Sequence, residues 1–152
     1  MQKITTFLMF NNQTEEAVNF YVSIFKNSKI LSMNRAGEGG PVMGASFVLE
    51  GQEFSAFNGG PHFTFSDGIS LFVSCETQKQ VDDLWEKLSA GGEKGQCGWL
   101  KDKFGVSWQI VPTALGQLLG DKDPKKSQNV MQAMLKMTKI DIAELRRAYD
   151  QK

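Results

Sequence analysis

The sequence repeats itself, and the repeat restricts the fold more than any other feature. Sliding the early part of the 152-residue chain by 63 positions sets Leu8-Met9-Phe10 on Leu71-Phe72-Val73, Thr14 on Thr77, Val18 on Val81, Tyr21 on Leu84 and Phe25 on Leu88. Later in each half the offset becomes 54, where Gly51 meets Gly105, Phe54 meets Trp108 and Phe57 meets Val111. Self-similarity of this kind means one supersecondary unit used twice. The second copy has lost about nine residues from its middle hairpin, the difference between the two offsets.

Periodicity names the elements of that unit. Residues 4–10 form a short apolar run ended by Asn11-Asn12, which predicts a buried strand. A helix follows, with Thr14 as its expected cap, Glu15 and Glu16 at its anion-favouring start, and Ala17, Phe20, Tyr21, Ile24 and Phe25 on one face. Residues 29–35, 42–49 and 53–57 read as three strands, the last two a hairpin turned at Glu50-Gly51-Gln52. Gly37-Glu38-Gly39-Gly40 precedes Pro41 and a strand, so it reads as a hairpin loop and not a phosphate cradle. Asn58-Gly59-Gly60-Pro61 forbids regular structure and marks the boundary between halves. The pattern then restarts with a strand at 69–75, a capping box at Thr77 and Gln80, and a helix whose apolar face is Val81, Leu84, Trp85 and Leu88, ended by Gly91-Gly92.

The predicted class is therefore α+β: two βαβββ repeats, residues 3–60 and 68–113, in a single domain spanning 1–152. Each unit's apolar sheet face needs a cover, so curved mixed sheets are expected to enclose a cleft that a small ligand occupies. Residues 114–152 form a helical tail. A short helix at 114–119 comes first, then Asp123-Pro124 opens a helix striped with Val130, Met131, Met134 and Met137, and Asp141 with Glu144 starts a last one. The stripe is expected to pack on the chain's own body or on a twin subunit, and the apolar tail offers surface for the homodimer expected as the assembly.

Charge excludes several partners. Lys and Arg total 17 and so do Asp and Glu, which leaves no net field for nucleic acid or an anionic membrane. No apolar run approaches the ~20 residues of a membrane span. The first residues lack the pattern of an export signal, and the cytoplasm is the expected location. Cys75 and Cys97 have neither CxxC spacing nor a supporting cluster and read as buried free thiols.

With the repeated strand-helix-strand-strand-strand order, three motifs carry a family resemblance: Asn58-Gly59-Gly60-Pro61, Gly98-Trp99-Leu100-Lys101-Asp102 and Trp108-Gln109-Ile110-Val111-Pro112. The chain resembles the PhnB-like branch of the vicinal oxygen chelate superfamily, the glyoxalase/bleomycin-resistance/dioxygenase fold, over nearly its whole length, tail included. That branch commonly carries the label 3-demethylubiquinone-9 3-methyltransferase. The residues give methyl transfer little support, since no glycine-rich strand-to-helix turn of a doubly wound sheet is visible to hold a nucleotide-sulfonium donor.

Enzymes of the superfamily grip a divalent ion with histidine, glutamate or glutamine from the first and last strands of each unit. Counting from the helices places those positions at Thr6 and Ile69, and in the last strands at Ser55 and Gln109. Only Gln109 is a plausible ligand. No metal site and no cofactor are therefore expected, nor is metal-dependent lyase or dioxygenase activity. The expected binding residues are Thr6, Ser55, Phe57, Ile69, Trp99, Trp108 and Gln109. His62, the single histidine, is the one candidate general base, set against its reading as a solvated linker residue. Trp99, Lys101 and Asp102 either recognise a polar ligand or serve a strand and its hairpin turn. Three functions follow: a metal-free protein binding a small, largely apolar molecule; an enzyme working through His62 or another cleft residue, of the methyltransferase type if the family label holds; or a structural dimer.

Overall fold

A computed structural model describes residues 2–152 and divides the chain into two compact units, the first ending at Thr64 and the second running from Phe65 to Lys152. The first contains β1 (Thr6–Phe10), α1 (Thr14–Ile24), β2 (Lys29–Arg35), β3 (Val42–Leu49) and β4 (Gln52–Asn58). Its sheet runs β1-β4-β3-β2, with β1 and β4 parallel and the other neighbours antiparallel. A parallel pair needs a crossover, and α1 is part of it.

The core of this unit lies between α1 and one sheet face. Tyr21 stacks on Phe47 at 6.4 Å between centroids, and Phe47 on Phe54 at 5.4 Å, with Val18, Phe10 and Ala56 buried around them. Thr14 does not cap α1. It is the first helical residue, its N–H donates to Asn58 Oδ1 at 3.0 Å, and its buried hydroxyl has no partner. Asn58, whose amide also donates to the Val42 carbonyl at 2.7 Å, ties the helix start to the end of β4 in place of a local cap.

The second unit holds β5 (Leu71–Cys75), α2 (Gln78–Ser89), β6 (Glu93–Lys94), β7 (Trp99–Lys101) and β8 (Ser107–Pro112), then α3 (Thr113–Leu119), α4 (Pro124–Leu135) and α5 (Ile142–Asp150). The sheet order β5-β8-β7-β6 repeats that of the first unit, again with one parallel pair, β5 and β8. The capping box forms as the sequence predicts, Thr77 accepting from Gln80 N–H while Gln80 reaches back. Asp123 and Asp141 likewise cap α4 and α5.

Pairing changes the internal alignment. Thr6 lies opposite Phe54 and Leu71 opposite Trp108, so the first strands match at an offset of 65 where the last strands keep 54. The helices match at 64, buried Ala17 and Tyr21 corresponding to buried Val81 and Trp85. The offset of 63 is thus corrected by one residue in the helices and two in the first strands.

The tail packs on its own unit. Val111 of β8 joins Leu115, Val130, Ile140 and Leu145 in one apolar cluster, with Met134 and Met137 against it. Met131 leaves the predicted stripe and is exposed. Backbone bonds from Cys97 N–H to Met137 O and from Gly98 N–H to Thr138 O, each 2.8 Å, fix the segment after α4 beside β7. The Gln78 side chain holds the same segment from α2, donating to Ile140 O and accepting from Ile142 N–H.

Candidate functional site

Strand alternation gives the second sheet two different faces. Leu100, Trp108, Ile110 and Cys75 are buried on the side of α2. Phe72 and Ser74 of β5, Gln109 and Val111 of β8 and Trp99 of β7 point the other way. Cys97 adds to this floor, and α3 and α4 wall it with Leu115, Gly116, Gln117, Leu119 and Met134. The result is a pocket of about 700 Å³, within the usual range for small-molecule sites. Its lining is mostly apolar, and none of the lining residues is acidic, basic or histidine.

Of the residues the sequence singles out, this pocket brings together Trp99 and Gln109. The others lie elsewhere. Ser55 and Phe57 sit on the face of the first sheet turned away from α1, where Ser55 pairs with Ser46 and Phe57 with Gly44. Thr6 is in register with buried Phe54 and so points to the α1 side, because the face-defining register is one residue off the count from the helix. Ile69 precedes β5 and is 75% exposed, since the strand starts two residues later than the apolar pattern predicts. Trp108 is 2% exposed on the α2 side, its Nε1–H donating to Asp102 Oδ2 at 2.8 Å. His62 occupies an exposed turn.

Asp102 serves the turn. Its Oδ1 also accepts from Phe104 N–H at 2.9 Å and Val106 N–H at 3.0 Å, which closes the β7–β8 connection, while Lys101 pairs with Asp67 at 2.6 Å. Phe72, Gly116 and the tail residues are the site members that sequence reasoning missed. Phe72 gave a signal, a large aromatic alternating with the buried side of its strand, whereas the return of the tail onto the sheet leaves no local trace.

The facing pairs of the first and last strands offer few donors for a divalent ion, although β4 also carries Glu53 on the face of Ser55. On the faces away from the helices, the facing pairs are Phe7 with Ser55 and Met9 with Phe57 in the first unit, and Phe72 with Gln109 and Ser74 with Val111 in the second. These offer hydroxyls and one amide, no carboxylate and no imidazole. Among the described residues no group of three or more His, Cys, Asp or Glu is placed to hold a metal. A hard divalent ion prefers anionic oxygen or imidazole donors, so the residues present do not fit the superfamily's ion.

The two thiols are free but differ: Cys75 is buried as expected, whereas Cys97 is only half-buried because it opens onto the pocket. Cys75 is 1% exposed on the α2 side, and burial pushes its thiol up to about 11. At about pH 8 that leaves on the order of one thiol in a thousand ionised, and only the thiolate attacks an alkylating agent. Iodoacetamide at this pH is expected to modify Cys97 and spare Cys75, with Cys75 labelling appearing only as the pH climbs toward its raised value; peptide mapping that finds equal labelling would contradict this.

Two strand-helix-strand-strand-strand units, each with a mixed four-stranded sheet, and a pocket on the second sheet define a protein of the glyoxalase/bleomycin-resistance fold. The chain belongs to the 3-demethylubiquinone-9 3-methyltransferase family, the PhnB-like branch of that superfamily, whose sequence model matches residues 2–111. A PhnB protein from Bacillus cereus is 43% identical with a TM-score of 0.68, covering 74% of this chain and 100% of that one. Two others show the fold alone: a Pseudomonas aeruginosa protein, 20% identical, TM-score 0.61, over 73% of this chain and 96% of that chain; and the fosfomycin resistance protein FosX from Listeria monocytogenes, solved with Mn(II) and sulfate, 15% identical, TM-score 0.52, over 71% and 90%. No curated protein matches the chain. The match to the family model ends at residue 111, before α3, so the wall of the pocket formed by α3 and α4 lies outside the matched residues.

Proposed function

We propose that this protein binds a small, largely apolar molecule in the pocket of its second unit, without a metal and without a nucleotide cofactor, on a scaffold whose ion-binding positions have lost their ligands. The observation that carries this reading is the lining itself: a cavity of about 700 Å³ walled by aromatic, aliphatic and thioether side chains with a few neutral polar groups and no charge. Apolar surface removed from water supplies affinity, at roughly 25 cal/mol per Å², and the few polar groups supply orientation. The family description names methyl transfer, but each sheet has a single parallel pair and the pocket holds no carboxylate for a ribose or a sulfonium. Catalysis through His62 has no support from its exposed turn.

The neutral dye N-phenyl-1-naphthylamine tests the reading. One dye is expected per chain. Gly116 lies in α3 facing the pocket, and a Cβ there meets nothing within 4 Å, so Gly116→Phe fills the cavity without disturbing the backbone. That variant should weaken the dye at least tenfold, about 1.4 kcal/mol, at unchanged helical content. A Gly116→Phe protein that binds as the parent does would overturn the site. In parallel, equilibrium dialysis against zinc, nickel, manganese and iron is expected to show no stoichiometric, submicromolar ion; one that binds so tightly refutes the metal-free reading.

A further inference from the structure

If the pocket binds a small molecule, as proposed above, its floor restricts what kind. β8 runs between β5 and β7, and at one level of the sheet Phe72 lies opposite Gln109 on one side while Trp99 lies opposite it on the other. All three side chains line the pocket. An amide is therefore flanked by two aromatic side chains in a row across three strands. Phe72 is 58% exposed, so much of its ring is open to a ligand entering the pocket.

The spacing suits a ring. Adjacent strands lie about 4.8 Å apart, so a planar group resting over Gln109 is near both neighbours, inside the ~4.5–7 Å between centroids at which offset and edge-to-face aromatic pairs are favourable. The amide is also oriented. Gln109 Nε2 donates to Ser70 Oγ at 2.9 Å, which leaves Oε1 to accept from a ligand O–H or N–H. Charge is unwelcome here. An ion entering the pocket gives up hydration with no opposite charge to replace it. The next residue on that face of β7, Lys101, already has its ammonium on Asp67.

We propose that the pocket is selective for an uncharged aromatic molecule carrying a hydrogen-bond donor, a phenol in the simplest case, held with its ring over Gln109 between Phe72 and Trp99 and its hydroxyl donating to Gln109 Oε1. Displacement of bound N-phenyl-1-naphthylamine by four compounds of one size separates this from the general binding reading: 2-naphthol, naphthalene, trans-2-decalol and naphthalene-2-sulfonate. The expected order places 2-naphthol first, about tenfold ahead of both trans-2-decalol, which keeps the hydroxyl and lacks the ring, and naphthalene, which keeps the ring and lacks the hydroxyl. The sulfonate should be weakest.

Two half-exposed positions give variants that leave the core alone. Gln109→Leu should remove the advantage of 2-naphthol over naphthalene while retaining naphthalene binding. Phe72→Leu should weaken both aromatic compounds roughly 5- to 10-fold and leave trans-2-decalol unchanged. Decalol within twofold of 2-naphthol, a sulfonate that displaces best, or a Gln109→Leu protein with the parent's preference would each overturn the proposal while the dye still binds. Failure of the dye itself sinks the binding reading instead.

Discussion

Asp102→Ala is expected to lower the stability of the protein by about 4 kcal/mol and its midpoint of thermal unfolding by roughly 10 °C. The carboxylate is 3% exposed and collects three donors, the Phe104 and Val106 backbone N–H groups and the Trp108 indole N–H, at 2.8 to 3.0 Å. Truncation strands these donors in a place the parent keeps dry. Each costs about 1–3 kcal/mol when left unmade, with the sum reduced by whatever water enters the gap. Asp102→Asn should cost less, about 1–3 kcal/mol, because Oδ1 can still accept from the turn while the new amide N–H₂ faces the indole donor. Urea unfolding measures both. A loss under 1 kcal/mol for Asp102→Ala would mean that the turn closes without its carboxylate and would overturn the structural role given to Asp102.

This turn also shows where sequence reasoning holds and where it stops. Local chemistry was legible: the Thr77–Gln80 capping box, Asp123 before Pro124, Asp141 bonding Glu144 N–H and the hairpins all form where residue type predicts them. Such features depend on a few adjacent residues. Register across the parallel pairs was not legible, because β1 and β4, or β5 and β8, meet only after a long connection and nothing local fixes their phase. A slip of one residue reverses every side chain, which is why Thr6 was expected on the face of its sheet turned away from α1 and lies on the other. Trp108 failed differently: alternation alone sets it opposite to Gln109, so both could not line one face. The tail is the extreme case. Its helices were readable, but their return onto the sheet rests on Met137 meeting Cys97 and on Ile140 meeting Gln78, pairings no local pattern records. Most of the candidate site therefore lay outside what the sequence could show, and its two visible members, Trp99 and Gln109, came from motif and count.

Gly98→Ala should be nearly as costly as Asp102→Ala and should reach the pocket although Gly98 does not line it. Gly98 has a φ of +84°, a conformation that costs a residue with a Cβ about 1–2 kcal/mol. The added methyl would also stand 2.9 Å from the Ile110 carbonyl oxygen and 3.1 Å from Ile140 Cγ1. The oxygen cannot yield easily, being part of the backbone of β8, so the chain at 97–99 must move instead. That movement stretches the bond from Gly98 N–H to Thr138 O and the one from Ile110 N–H to Gly98 O, both 2.8 Å, which join the segment to the tail and to the sheet. We expect a loss of about 3 kcal/mol by denaturant unfolding, composed of the φ term and one to two weakened hydrogen bonds. Because the bond to Thr138 O is one of those that hold the tail, limited proteolysis should cut first between residues 113 and 152, and dye binding should fall well before the second sheet unfolds. Gly116→Ala provides the control: the same added methyl, placed in a helix interior with no neighbour within 4 Å, should leave the tail docked and raise stability by up to about 1 kcal/mol. If Gly98→Ala binds dye as the parent does while remaining destabilised, α3 and α4 are not the wall that makes the pocket, and the floor of the sheet alone must hold the ligand.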